Sequence, residues 1–338
     1  MDHLFNHPGI IAGFAAVIIV MLLLDLGVFN KKSHEVSNKE ALIWSLVWIS
    51  LAMVFSGVIY FMLDKPQGTT DNFSRFQAAY WIEKALSVDN LFVFILVFKF
   101  FQIPKQFQHK VLFWGVIGAL VFRAIFIFAG VELIKLTYVA APFLGMDPHT
   151  GDPRQINVVL TVFGIFLIIA GIKSWGGDDD GEEEKDLSNN FAVKLVHKFY
   201  KVSDKFDGDK FFTIQNGIKM ATPLFVAVAV IELTDLVFAV DSIPAIFAIA
   251  PDDPFILYTS NIFAILGLRS LYFLLANSMD LFSKLHYGLA VILTFIGAKM
   301  LIMPFYHFES THSLAIIGTV LITSVIASLI SNKRSKEV

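Results

Sequence analysis

Again and again along this chain, apolar residues run on far enough to cross a bilayer before charge, proline or glycine interrupts them. Crossing takes about 20 helical residues at 1.5 Å each. Runs of that kind predict helices over 8–29, 40–63, 76–101, 109–136, 156–175, 221–250, 254–276, 285–304 and 312–331. Only 16% of the residues are charged and 56% are apolar, against roughly 25% charged in an average soluble chain. The expected fold is therefore all-α: a polytopic transmembrane bundle of about nine spans, one transmembrane domain over 1–338. Because the runs recur along the length, the first is not read as a cleaved signal.

Lysine and arginine fix the expected orientation. Seventeen fall in the odd-numbered loops and the C-terminal tail, among them seven lysines from Lys185 to Lys219, and four in the even-numbered loops: Lys65, Arg75, Lys135 and Arg154. By the positive-inside rule the N-terminus is outside and the C-terminus cytoplasmic. The run DDDGEEEKD at 178–186 reads as a solvated loop, with gathering of cations as the sharper alternative. Next comes FAVKLVHKFYKV at 191–202, where Phe191, Leu195, Val196 and Phe199 recur at helical spacing between lysines. That pattern predicts an interfacial helix on the inner leaflet.

The remaining basic residues, Lys84, Arg123, Lys173, Arg269 and Lys299, lie within or at the ends of predicted spans. Four of them mark a repeat. EKALSVDN aligns with the passage from Asp235 to Ser242, so that Glu83 falls on Asp235, Asp89 on Asp241 and Asn90 on Ser242. LVFRAIFIFAG around Arg123 answers LGLRSLYFLLA around Arg269, and IAGIKSW around Lys173 answers FIGAKML around Lys299. Order is kept in both halves. Units of three spans must enter the membrane from opposite sides, an inverted repeat, with halves at about 76–175 and 221–304 and a cytoplasmic loop at about 176–220.

Charge inside a bilayer is costly and marks function. Positions seven apart return to nearly the same helix face, so Glu83 and Asn90 share a stripe, as do Asp235 and Ser242; Asp89 and Asp241 lie about a third of a turn away. Glu232 adds a carboxylate one turn before Asp235. If the two acidic helices meet on a pseudo-two-fold axis, Glu83, Asp89, Asn90, Glu232, Asp235, Asp241 and Ser242 form an oxygen-rich metal site near the midplane. Carboxylates, an amide and a hydroxyl suit manganese(II), calcium or magnesium. The chain has no cysteine, which excludes disulfides, thiolate metal sites and iron–sulfur clusters. Pro244 lacks an amide hydrogen and crowds the carbonyl of Val240, so it either breaks the helix beside Asp241 or merely kinks it.

Arg123, Arg269, Lys173 and Lys299 are read as counter-ions to these acids, or as a switch that neutralises them when a cation leaves. Lys84 has no equivalent in the second half and pairs locally or reaches outward. Asp25, near the cytoplasmic end of the first helix, lines an entrance or simply ends the helix. His3, His7, His307 and His312 gather on the expected outer face, where exposed histidines seldom bind metal.

EKALSVDNLFVF, ATPLFVAVAVIELTDLVFAVDSIPAIFAI, SNIFAILGLRSLYFLLA and YGLAVILTFIGAKMLI closely resemble the TerC family, especially its Alx-like branch, from the first helix to the eighth. The resemblance implies an integral protein of the bacterial inner membrane associated with manganese(II) export, tellurite resistance and metal supply to secreted proteins. It also places the family's acidic motifs on Glu83, Asp89, Asn90, Glu232, Asp235, Asp241 and Ser242.

The expected function is a secondary transporter that exports manganese(II), coupled to proton entry and requiring no cofactor. No P-loop is present, so ATP is not an evident energy source. Manganese, protons and membrane lipid are the expected partners, without nucleic acid; the oligomeric state is left open. Three alternatives stand beside it: a calcium or magnesium/proton exchanger, an intramembrane aspartyl hydrolase using Asp89 and Asp241 as a general acid/base pair, and a non-transporting partner of secretion machinery. Against the hydrolase, the Gly-x-Gly-Asp motif is lacking, and no enzyme activity is expected.

Overall fold

The computed structural model describes residues 8–29, 36–146, 151–175, 191–215, 217–276, 285–306 and 308–335. Within these helices the side chains of Asp25, Asp89, Asn90 and Asp241 lie outside the described set, as do the acidic run at 178–186 and His3, His7 and His307. His312 is exposed, its Nδ1 3.8 Å from a carboxylate oxygen of Glu309.

Every predicted span falls on helix. The order is α1 (Pro8–Phe29), α2 (Asn38–Ile59) continued by a π-helical turn (Tyr60–Asp64) and a short α3 (Lys65–Gln67), α4 (Asp71–Phe100), α5 (Lys105–Leu136), α6 (Val158–Trp175), α7 (Phe191–Phe199), α8 (Pro223–Phe247), α9 (Pro254–Leu266), α10 (Leu268–Ala276), α11 (Leu285–Ile302) and α12 (Ser310–Ser335). Two small antiparallel hairpins, β1 (Tyr138–Ala140) with β2 (Gln155–Asn157) and β3 (Phe212–Gln215) with β4 (Ile218–Ala221), and a 3-10 turn at Pro142–Leu144 complete the described elements. Five helical stretches, Asn38–Gln67, Lys105–Leu136, Val158–Trp175, Pro254–Ala276 and Ser310–Ser331, are long and apolar enough to cross a membrane.

Exposure runs opposite to that of a water-soluble domain. Val54 is 66% exposed, Ile125 58%, Val162 58% and Ile322 62%, whereas Arg123 is 0% exposed. Apolar side chains facing outward on several helices suit lipid, and the polar groups turn inward to one another. The chain is a helical integral membrane protein.

Helix ends are satisfied where water is scarce. Asp64, fully buried in the π-helical turn, accepts from the backbone N–H of Asn72 at 3.1 Å and of Phe73 at 2.8 Å, and from Asn72 Nδ2 at 2.8 Å. Those donors open α4, and a carboxylate both caps them and complements the positive end of the helix. The cap explains why α4 starts at Asp71, earlier than the apolar pattern indicates. Asp253 caps α9 in the same way, accepting from Phe255 and Ile256 N–H at 3.0 Å.

The two halves interlock crosswise. α4 packs on α9 and α5 on α8, first helix of one unit against second of the other, while α6 packs on α11, third against third. α6 and α11 run antiparallel, as equivalent helices must when a two-fold axis lies in the membrane plane. Their contact is built on small residues. A Cβ at Gly297 would lie 2.6 Å from the carbonyl of Gly164, and one at Gly171 would lie 2.7 Å from the carbonyl of Ala290. With Gly171 equivalent to Gly297 and Gly164 to Ala290, the second contact is the first one turned through the axis. Close approach through small residues is how membrane helices gain van der Waals energy without hydrophobic drive.

Two local expectations change. α8 runs through Pro244 and ends at Phe247, so the proline lies in the last turn and no break opens beside Asp241. The interruption falls instead at Gly267, between α9 and α10. α7 is the expected amphipathic helix beside α8, but it buries Val193 and Val196 and leaves Phe199 exposed; its inner face is turned from the stripe expected through Phe199.

Candidate functional site

Arg123 sits at the centre of the bundle, on α5, between the two acids that the repeat makes equivalent. Its Nη1 donates to Glu83 Oε1 on α4. Its Nη2 donates to Asp235 Oδ1 at 3.1 Å and its Nε to Asp235 Oδ2 at 3.4 Å, on α8. Ser242 Oγ, two turns further along α8, is 3.4 Å from Nη1. One guanidinium thus joins the first helices of both halves. Its planar fork grips Asp235 through one edge and reaches Glu83 from the other, a geometry an ammonium lacks.

Burial makes the bridge consequential. Glu83 and Arg123 are 0% exposed and Asp235 5%. Ions withdrawn from water recover the desolvation cost only through good mutual geometry. Ser87 Oγ also donates to Glu83 Oε1, at 3.3 Å, yet Glu83 Oε2 is buried with no hydrogen-bond partner. Two carboxylates thus share one guanidinium.

Glu232 approaches from the next turn of α8. Its carboxylate lies against the backbone of α5 at Gly118, where a Cβ would collide with it, and its Oε2 is buried without a partner. A residue larger than glycine at position 118 would close that space. Asp235 and Arg269 line a small cavity of about 20 Å³ with Gly115, Ile231, Ile265 and Leu268.

The expected charge network is thereby sorted. Arg123 bridges the acids and Arg269 shares the cavity with Asp235. Lys84 neither pairs locally nor reaches outward: its Nζ donates across to Ala264 O on α9 at 3.2 Å. That carbonyl lies just before the break at Gly267, where helical donors run out, and a Cβ at Gly267 would meet the ammonium at 2.5 Å. Lys299 is buried but stands apart, donating to Ser313 Oγ on α12 at 3.0 Å and lining a separate cavity of about 360 Å³ with Arg75 and Asp252. Lys173, its equivalent, is exposed at the end of α6. As counter-ions to the acids, both expectations fail, because the Gly-x-Lys helices pack on each other at the periphery. Asp25 falls on a side chain outside the described residues.

Of the expected cage, Glu83, Asp235 and Ser242 converge on Arg123, and Glu232 lies nearby on the same helix. Asp89, Asn90 and Asp241 occupy helical positions in α4 and α8, but their side chains are outside the described residues, and the hydrolase pairing of Asp89 with Asp241 falls on them too. Among the described residues no group of three or more His, Cys, Asp or Glu gathers closely enough to hold a metal ion. The donor set nonetheless suits a hard cation: carboxylate and hydroxyl oxygens, two of them orphaned and buried.

The sequence reading passed over Ser87, one turn from Glu83, and Asn261, a lone amide in the middle of α9 with neither side-chain atom hydrogen-bonded. Both were visible as polar residues within apolar runs. Asp64 also went unread, although an acid shortly before a helix is a capping signal.

The family model described as "Integral membrane protein TerC family" matches residues 68–336. A membrane protein of Myxococcus xanthus is 44% identical over 98% of this chain and 95% of its own length. The Escherichia coli protein named "Putative membrane-bound redox modulator Alx" is 39% identical over 98% of this chain and 97% of its own. A membrane protein of Rickettsia bellii is 38% identical over 94% and 96%. No solved structure matches.

Proposed function

The chain belongs to the TerC family of integral membrane proteins, and we propose that it is a secondary transporter exporting divalent manganese from the cytoplasm across a bacterial inner membrane, coupled to proton entry. The observation that carries this reading is the buried bridge Glu83–Arg123–Asp235. A guanidinium held between two equivalent carboxylates is a resident positive charge. Withdrawing it leaves two buried negative charges, which a divalent cation neutralises. Arg123 and the ion therefore exclude one another, and their alternation keeps the carboxylates from standing unpaired.

Export against an inside-negative potential costs about 4.6 kcal/mol per 100 mV for a divalent ion, twice the unit-charge figure. Two inward protons balance the charge, and Glu232, Asp89 and Asp241 are the carboxylates available to carry them. The lysine-rich loops face the cytoplasm with the C-terminus, and the N-terminus is outside. Calcium and magnesium compete for the same oxygen donors.

The name of the Alx relatives points to redox. Thiol exchange requires cysteine, and these 338 residues contain none, so a redox effect of these residues does not run through their own thiols. Substrate chemistry here is ion transfer, and no covalent step is assigned to the chain.

The decisive test is manganese flux in proteoliposomes under an imposed pH gradient, for wild type, Glu83→Ala, Asp235→Ala and Arg123→Gln. Wild type is expected to move manganese with a counterflow of protons and each variant to lose most of it. Wild-type protein that moves no divalent ion under either gradient direction overturns the reading.

A further inference from the structure

Asn261 lies in the middle of α9, 1% exposed, with neither Oδ1 nor Nδ2 hydrogen-bonded. Its neighbours solve the same problem locally. Thr259 Oγ1 donates to Phe255 O at 2.8 Å and Ser260 Oγ to Leu257 O at 3.0 Å. An unsatisfied buried polar group costs about 1–3 kcal/mol, and an amide carries two kinds of group at once. Such orphans are few in native proteins, and each calls for a partner or a role, an ion among them.

Side-chain ties to the neighbouring helices fix the level of Asn261 in the bundle. α5 runs antiparallel to α9 and α10: Phe128 packs beside Tyr258 at 5.6 Å between ring centroids, and Tyr272 OH donates to Gln108 Oε1 at 3.3 Å. Three residues on from Tyr258, Asn261 is therefore level with the turn of α5 that carries Arg123. α4 runs parallel to α9, tied by Arg75 to Asp252 and by Lys84 to Ala264, which sets Asn261 level with the turn ending at Glu83. Ile265, one turn on from Asn261 on the same face of α9, lines the small cavity that Asp235 and Arg269 also line. Glu83 Oε2, at this level, is also buried and unpaired.

We infer that Asn261 is a ligand of the transported cation, its Oδ1 completing with Glu83 and Asp235 the oxygen shell that forms when Arg123 withdraws. An amide oxygen suits this place because it adds a hard donor without a third negative charge to neutralise. α8 and α4 supply the acids, and α9 supplies the neutral donor on the remaining side. The inference rests on the transport reading and assigns a residue to it from outside both acidic helices.

The test uses the full chain purified in detergent, with manganese(II) alone as the probe. Free manganese is counted by its paramagnetic resonance signal, and unfolding is followed in parallel by intrinsic fluorescence. Asn261→Leu keeps the side-chain shape, removes both orphan groups and is expected to melt no lower than wild type. Its affinity for manganese should fall about 10- to 100-fold, the loss typical when a supporting ligand goes. Asn261→Asp restores an oxygen donor and should bind near wild-type strength at neutral pH, and it decides the matter if the leucine variant does not fold. Wild-type affinity in Asn261→Leu, with binding lost in Asp235→Asn, overturns the inference and leaves the transport site standing. An aspartate variant that folds and does not bind also overturns it. Wild-type protein that binds neither manganese, calcium nor magnesium instead removes the reading beneath it.

Discussion

Gly164 and Gly297 back onto one another across the interface of α6 and α11: a Cβ on the first would lie 3.0 Å from the carbonyl of the second, and a Cβ on the second 2.6 Å from the carbonyl of the first. The contact recurs, turned through the pseudo-two-fold axis, where Gly171 meets Ala290. A seam made of backbone against backbone cannot absorb a side chain by rotating one away.

Gly297→Leu is therefore expected to force the two helices apart, at about 1–3 kcal/mol or more for overpacking. Gly318 on α12 has nothing within 4 Å of its Cβ position, so Gly318→Ala should not lower stability and should raise it slightly, alanine being the better helix former. Melting of both variants in one detergent, by tryptophan fluorescence, checks the pair. Equal melting temperatures would show that the seam is not close-packed.

Arg123 yields a second expectation. Removing one member of a buried ion pair leaves a charge with no partner, at about 3–5 kcal/mol; Arg123→Leu should destabilise strongly. Neutralising both acids in the same chain, Glu83→Gln with Asp235→Asn, should recover much of that loss, because the orphaned charges are gone. Arg123→Lys should rescue only in part, since one ammonium cannot grip Asp235 through two nitrogens. A multiple-mutant cycle in chemical unfolding measures the coupling, and strict additivity would deny that the three act as one group.

How legible this centre was depends on which property of a residue carries the information. The repeat made Glu83 and Asp235 equivalent and placed an arginine in each half, so the acids and the arginine that joins them were readable from residue type and order. Helix face was not. Lys173 and Lys299 occupy the same place in matching motifs, yet one is exposed and the other buried against Ser313, because α12 packs on α11 and brings Ser313 to Lys299. Pro244 could have broken the helix or merely kinked it, and α8 runs through it to Phe247. The break came at Gly267, whose signal is only the absence of a side chain. It is understood once Lys84 is seen arriving from another helix.

Lys84 and Gly267 are thus two halves of one arrangement. Gly267→Ala brings a methyl group to 2.5 Å from the ammonium and 3.3 Å from Trp48 Cβ, and should cost about 1–3 kcal/mol. Shortening the lysine makes room: in the Lys84→Ala background the same glycine change should cost clearly less. Unfolding of the two single variants and the double variant measures the difference, and equal costs in both backgrounds would mean that the glycine is required by Trp48 or the backbone instead.

The loop before α8 offers a pH test outside the membrane. Lys110 Nζ donates to Asp209 Oδ2 at 2.8 Å and to the Asp209 carbonyl at 2.6 Å, tying the start of α5 to this loop. The hydrogen bond from Lys110, aided by its charge, holds the Asp209 carboxyl below the ordinary aspartate value of 3.8. A depressed folded-state value means the tie contributes fully above the unfolded value and is lost as pH falls through the folded one. Because Asp209 is largely exposed, solvent screening keeps the contribution small. Carboxyl-carbon NMR should find Asp209 titrating below 3.8 in wild type and returning toward that value in Lys110→Met. An unchanged titration in the variant would assign the shift to something other than the lysine.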